Sequence, residues 1–182
     1  MGRDGSPAYV WGTTPEERTM VFPCDRFLPD ADGEYFRAVG VAAPAGMLFR
    51  WLCQLKVAPY SYDFVDNFGR RSPRELTPDA ERLARGQRVM TIFEIADFRE
   101  GEHLTLTLGD PRAHALFGRV ALSYVVLPVS EDSCRLVVKL RVLYPERPPG
   151  SWMRWFLPWG DLLMMRKQLL TLKHLAEGQG RV

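Results

Sequence analysis

Apolar residues recur along this chain in two rhythms, and the order of those rhythms predicts an architecture. Over residues 34–42 they alternate, with Tyr35, Val39 and Val41 on one side, which predicts a strand. Past Pro44, Leu48, Trp51, Leu52 and Leu55 fall at i, i+3, i+4 and i+7, the stripe of an amphipathic helix that Pro59 ends. Strands are predicted again over residues 88–98, 103–108, 117–127 and 134–144. In the last, Leu136, Val138, Leu140, Val142 and Tyr144 share one face, while Arg135, Lys139 and Arg141 lie on the other. One apolar and one wet face predicts an antiparallel sheet covered on one side, with those three basic residues exposed. Residues 158–177 predict a closing helix whose buried stripe is Trp159, Leu162, Met165, Leu169, Leu172 and Ala176. The sum is an α+β fold, a curved antiparallel sheet wrapped around a long C-terminal helix, with a hollow between the two.

The segments between these elements follow a different chemistry. Residues 1–33 carry Pro7, Pro15, Pro23 and Pro29, which interrupt regular structure, apart from one helical turn capped by Thr14 with Pro15 at its first position. Tyr9, Trp11, Met20, Phe22 and Phe27 make this lead-in too apolar for a free tail, so it is expected to lie along the outside of the domain. Residues 34–177 form the domain itself and 178–182 a tail. Residues 70–87 are charged and irregular, the composition of a lid-like loop.

Composition narrows the function classes. With 182 residues, 46% hydrophobic and 25% charged, the chain reads as one globular domain. A formal net charge of +2 with scattered Lys and Arg gives no nucleic-acid footprint. Cys24, Cys53 and Cys134 lack metal-ligand spacing and read as isolated thiols of a reducing cytoplasm. No apolar window predicts a signal peptide or a membrane span, so a cytoplasmic location is expected. His103, His114 and His174 stand far apart, and neither a nucleophile elbow nor a glycine-rich phosphate loop is present. No metal and no cofactor are expected.

Four stretches carry a family resemblance: the strand running into Ala43-Pro44, the Trp-bearing helix after it, YSYDFVDNFG from Tyr60 to Gly69, and MMRKQLLTLKHLAE from Met164 to Glu177. Together they resemble a bacterial branch of the START-like, polyketide-cyclase-like superfamily (SRPBCC), over nearly the whole chain. Ala58-Pro59 stands where those relatives usually carry a Gly-Trp-like step. The resemblance implies a helix-grip fold with a deep apolar cavity between sheet and last helix. It also implies binding of lipid-like or polyketide-like molecules, with cyclisation or hydrolysis in some members.

Three sets of residues are candidates for function. Phe93, Leu106, Leu122, Tyr124, Leu140, Tyr144, Trp159 and Leu162 face inward in the predicted phases and would line a cavity, with Tyr62 adding a polar contact. The alternative is that they fill the core. The cluster Tyr60, Ser61, Tyr62, Asp63, Asp66 and Asn67 places two carboxylates on one helical face, but capping and turn roles suit these residue types as well. Trp152, Trp155, Phe156 and Trp159 beside Arg154 suit a membrane or partner contact, with plugging one mouth of the sheet as the favoured reading. The expected function is binding of an apolar or aromatic small molecule. A cyclase or aromatase acting on such a ligand through Tyr124, Tyr144, Tyr62 or Asp63, and a protein-interaction domain without a ligand, are the alternatives.

Overall fold

The computed structural model describes residues 6–61, 71–146 and 150–179, with the side chains of residues 150 and 151 left aside. The alternating segment forms β2 (Gly33–Val41), flanked by the two-residue strand β1 (Val10–Trp11). The first apolar stripe becomes α2 (Ala45–Cys53), which buries Leu48, Phe49, Trp51, Leu52 and Cys53 and runs into a tight turn ending at Lys56. The short helix α1 (Pro15–Thr19) opens with a capping box: Glu17 N–H donates to Thr14 Oγ1, and the Glu17 carboxylate accepts from Thr14 N–H.

The segment read as one strand over residues 88–98 is two, β3 (Arg88–Val89) and β4 (Phe93–Arg99). Met90 and Thr91 break it with φ of 47° and 69°, a left-handed region that a β-branched residue rarely enters. After β5 (His103–Leu108), residues 111–117 form α3 (Pro111–Phe117), which hydrophobic period alone did not show. Its cap is local: the Asp110 carboxylate accepts from Arg112 N–H at 2.7 Å and Ala113 N–H at 3.1 Å, with Pro111 at the first helical position. Strands β6 (Arg119–Ser130) and β7 (Ser133–Leu143) follow, then α4 (Gly150–Gln179).

The described strands form one sheet in the order β1-β2-β7-β6-β5-β4-β3, antiparallel except for the β1–β2 pair. Register shifts after Ile95 and Pro128 mark bulges, which bend strands and sharpen twist. The concave face packs on α2 and α4, and the core there runs from Tyr35 and Leu136 through Leu104, Leu106 and Leu122 to Leu169 and Leu172. This is the helix-grip fold.

Three sequence expectations need correction. The convex face is not wet. Phe22, Cys24 and Leu28 of the lead-in pack with Phe36, Ala38, Ala121 and Val137 in a second apolar cluster. Lys139 is therefore buried, and it pairs with Asp25 at 2.7 Å and Glu34 at 3.2 Å. Arg141 meets the same two carboxylates, and Arg135 meets Glu17 at 2.7 Å, so neither is the exposed cation that the alternation implied. Two of the three carboxylates that cover these cations, Asp25 and Glu17, come from the lead-in, which the strand pattern does not contain. Second, α4 begins at Gly150 rather than Pro158, because an internal proline removes one hydrogen bond without forbidding helix on its N-terminal side. Third, Trp159 is exposed. Pro158 is the buried residue one turn before Leu162; spacings of three and four fit a stripe equally, and period could not choose between them.

Candidate functional site in the grip between sheet and helix

A cavity of about 180 Å³ lies between the sheet and α4. β6 supplies Leu122 and Tyr124, β7 supplies Leu140, and the left-handed break before β4 turns Met90, Ile92 and Phe93 toward it. The helix wall is Asp161, Met164, Met165 and Gln168, one face of two successive turns. Pro59 and Ser61 close the side next to α2. A second space of about 320 Å³ lies outside this wall, between Ser72, Pro73 and Arg74 and the α4 residues Lys167, Leu170, Thr171 and His174. Ser61 lines both, and its hydroxyl lies 3.5 Å from Met164 Sδ.

Of the residues anticipated for a lining, Phe93, Leu122, Tyr124 and Leu140 stand at this cavity. Leu106 is paired across the sheet with Leu122 and Ile95, inside the packed core. Leu162 is buried one residue round the helix from the Asp161 side. Tyr144 is away from the lining; its hydroxyl bonds that of Tyr35, and the Arg154 guanidinium stacks on its ring at 4.8 Å. Trp159 points to solvent and plugs no mouth. Tyr62, Asp63, Asp66 and Asn67 lie outside the described residues.

The polar groups at the cavity are ones that patterning passed over. Tyr124 donates to Gln168 Oε1 at 2.7 Å, and Gln168 Nε2 donates to the Pro59 carbonyl at 2.6 Å, so this pair staples β6, α4 and the segment that follows α2. Burial pushes the Tyr124 phenol well above its usual range, which keeps it a neutral donor. Asp161 accepts from Arg37 Nη2 at 2.8 Å. Arg37 is fully buried on β2 between Tyr35 and Val39, and its guanidinium also donates to the carbonyls of Ala8 and Phe36. Burial raises the Asp161 carboxyl pKa, and the charge and hydrogen bond of Arg37 only partly offset it. The signal available in the sequence was a charge in the inward phase of an apolar strand, Arg37, matched by one acid, Asp161, in an apolar helix.

The thiols are remote from this chemistry. Burial pushes Cys24 up to about 11, Cys53 to about 12 and Cys134 to about 11, so each stays protonated at neutral pH. Among the described residues no group of three or more His, Cys, Asp or Glu is arranged to hold a metal ion.

No family model and no curated protein matches the chain. Solved structures do, at the level of fold. A structural-genomics protein from Nitrosospira multiformis is similar over 82% of this chain and 99% of its own, with a TM-score of 0.51 and 11% identity. A START superfamily protein from Mycobacterium smegmatis matches over 81% of this chain and 96% of its own (TM-score 0.46, 16% identity). The Zhui aromatase/cyclase from Streptomyces sp. R1128 matches over 82% and 96% (TM-score 0.48, 13% identity). The similarity to the Nitrosospira protein is one of fold alone, and the chain's own topology is the helix grip.

Proposed function

We propose that the protein binds a small apolar or aromatic molecule between the sheet and α4. The observation that carries this reading is the cavity itself: a space of about 180 Å³ walled by Leu122, Leu140, Phe93, Met90 and Met165, with Asp161 at one side. Its size selects among ligands. An apolar cavity of about 150 Å³ takes one benzene ring, whereas drug-sized ligands occupy about 300–1,000 Å³. The inner space therefore suits a single ring or a short branched chain. A longer, lipid-like or polyketide-like molecule must pass Ser61 and continue in the outer cleft beside Lys167 and His174. A ligand hydroxyl or amine turned toward Asp161 gains a charge-assisted hydrogen bond.

A fluorescent apolar probe tests this. The native protein is expected to bind the probe and to release it to single-ring competitors more readily than to long-chain ones. Leu122→Trp fills the cavity and is expected to abolish probe binding while leaving the far-ultraviolet circular dichroism unchanged. Native mass spectrometry of freshly purified protein would show a co-purified ligand directly. Absence of probe binding by the folded wild-type chain would sink the reading.

Asp161 favours one second reading, a cyclase- or aromatase-type reaction. A carboxylate held on an apolar wall is the group that removes a proton beside a carbonyl. Asp161→Asn separates the two: a binding protein loses only the charge-assisted part of its affinity, whereas an enzyme also loses turnover.

A further inference from the structure

The first turns of α4 turn outward a row of side chains that a helix of a soluble domain ordinarily buries. Trp152, Trp155, Phe156, Trp159 and Leu163 stand at i, i+3, i+4, i+7 and i+11, hence on one face. They are 71%, 72%, 57%, 48% and 58% exposed. Single exposed apolar residues need no explanation, but a contiguous row does. The row is also rigidly backed, because Pro158, Leu162 and Met165 on the other side of the same turns are buried against the domain.

The charges that share this helix face are of one sign. The face continues into Arg166 and Lys167, both exposed, with the Arg166 guanidinium over the Trp11 ring at 5.7 Å. Asp161 is the one acidic residue between positions 150 and 176, and it is turned away into the grip against Arg37. The exposed face is thus aromatic and basic, with no carboxylate of its own.

We propose that this face docks on an anionic lipid surface, with the start of α4 lying in the interface. Indole rings settle at the headgroup boundary, where an apolar body and a polar N–H are both accommodated, and Phe156 and Leu163 add apolar area to the same face. Arg166 and Lys167 meet the negative potential of such a surface. In a two-fold contact a second copy would present this same helix face, which holds no carboxylate for those two cations. None of the described helices is long and apolar enough to cross a membrane, so the contact lies on the bilayer and does not span it. Met164, Met165 and Gln168 of the same helix wall the inner cavity, so docking brings that cavity within about 10 Å, one helix diameter, of the lipid. The docking itself rests on the exposed row and not on any ligand in the cavity.

Co-sedimentation with vesicles tests it, using phosphatidylcholine alone and phosphatidylcholine mixed equally with phosphatidylglycerol. The wild-type chain is expected to sediment with the mixed vesicles at low salt, with its tryptophan emission shifted to the blue and quenched by brominated lipid. Trp155→Ser with Trp159→Ser is expected to weaken partitioning by about tenfold or more. Arg166→Gln and Lys167→Gln should each weaken it about fivefold on the mixed vesicles, and little on neutral ones. Leu122→Trp, which fills the cavity, is expected to leave vesicle binding intact. Failure of the wild-type chain to sediment overturns the proposal, as does sedimentation that the paired serine variant leaves unchanged. A dimer that the serine pair dissociates, with no vesicle binding, also overturns it and assigns the face to a second copy. The quenching measurement needs no variant, so a folding defect in one cannot obscure the answer.

Discussion

Arg37 and Asp161 are the residues on which the grip turns. Both are buried, one on the sheet and one on the helix, and their 2.8 Å contact ties the two layers together beside the cavity. Removing one partner of such a pair leaves the other charged, buried and alone. Arg37→Met is therefore expected to cost about 3–5 kcal/mol in urea denaturation, with Arg37→Met/Asp161→Leu recovering most of it. A single variant as stable as wild type would show that the pair holds nothing. On the far side of the sheet, Asp97 gathers Arg26, Arg85 at 2.7 Å and His103 at 3.2 Å. Burial alone would raise its pKa, but the His103 hydrogen bond and the two guanidinium charges outweigh that, and the carboxyl is lowered. A carboxyl more acidic folded than unfolded contributes stability at neutral pH that disappears as pH falls from the ordinary Asp value through the folded one. Thermal melting should thus drop below about pH 4, and Asp97→Asn should flatten that drop; equal acid sensitivity in the variant would assign the effect to other carboxylates. These residues were only half legible beforehand. Alternation marks Arg37 as inward, but nothing in a two-letter apolar–polar pattern says that its partner sits more than a hundred positions away.

Among the elements, α4 was the most legible and the most instructive. Its buried stripe through Leu162, Met165, Leu169, Leu172 and Ala176 follows from period alone. Leu169 is fully buried and outside the cavity lining, so Leu169→Ala is expected to cost about 2–5 kcal/mol. A loss near the surface value of about 0.5 kcal/mol would mean the helix is not held there. Its first turns escape the pattern because Pro158 has the signature of a helix start and Trp159 that of a buried anchor. Elements shorter than one period give no such signal at all: β1 has two residues and pairs in parallel with Phe36 and Arg37. What fixes β1 is a close approach at Gly12, where φ is 77° and an added Cβ would lie 2.1 Å from the Ala38 carbonyl oxygen. Gly12→Ala should therefore loosen the lead-in, seen as faster amide exchange in residues 6–14; unchanged protection would show that the lead-in is held elsewhere.

For the whole molecule, the order of strand, helix, strands and helix gave the architecture because each long element carries its own period. The hollow was not readable the same way. Its volume depends on how far α4 stands from β6, and that distance is set by packing that no single segment contains. The lead-in was recognisable as apolar, yet its place on the sheet depends on partners scattered over β2, β6 and β7, such as the bond from Cys24 N–H to Ser123 Oγ. That arrangement has a consequence for the chain as it is made. β2 joins β7, with Val41 opposite Cys134, and the lead-in meets Lys139 across 115 positions at Cys24. The lead-in can therefore pair with β2 soon after both are made, but the rest of its support waits for β6 and β7. Contacts so distant along the chain slow folding, because loop closure must precede any gain from the contact. A chain ended after Pro128 should have its lead-in cut readily by trypsin at Arg18 and Arg26, sites that the full chain protects. Equal protection in both would mean that the lead-in docks early on β2 and β6 alone. Otherwise, synthesis leaves the edge of β2 unpaired until β7 emerges, and that interval is when this protein is most exposed to wrong partners.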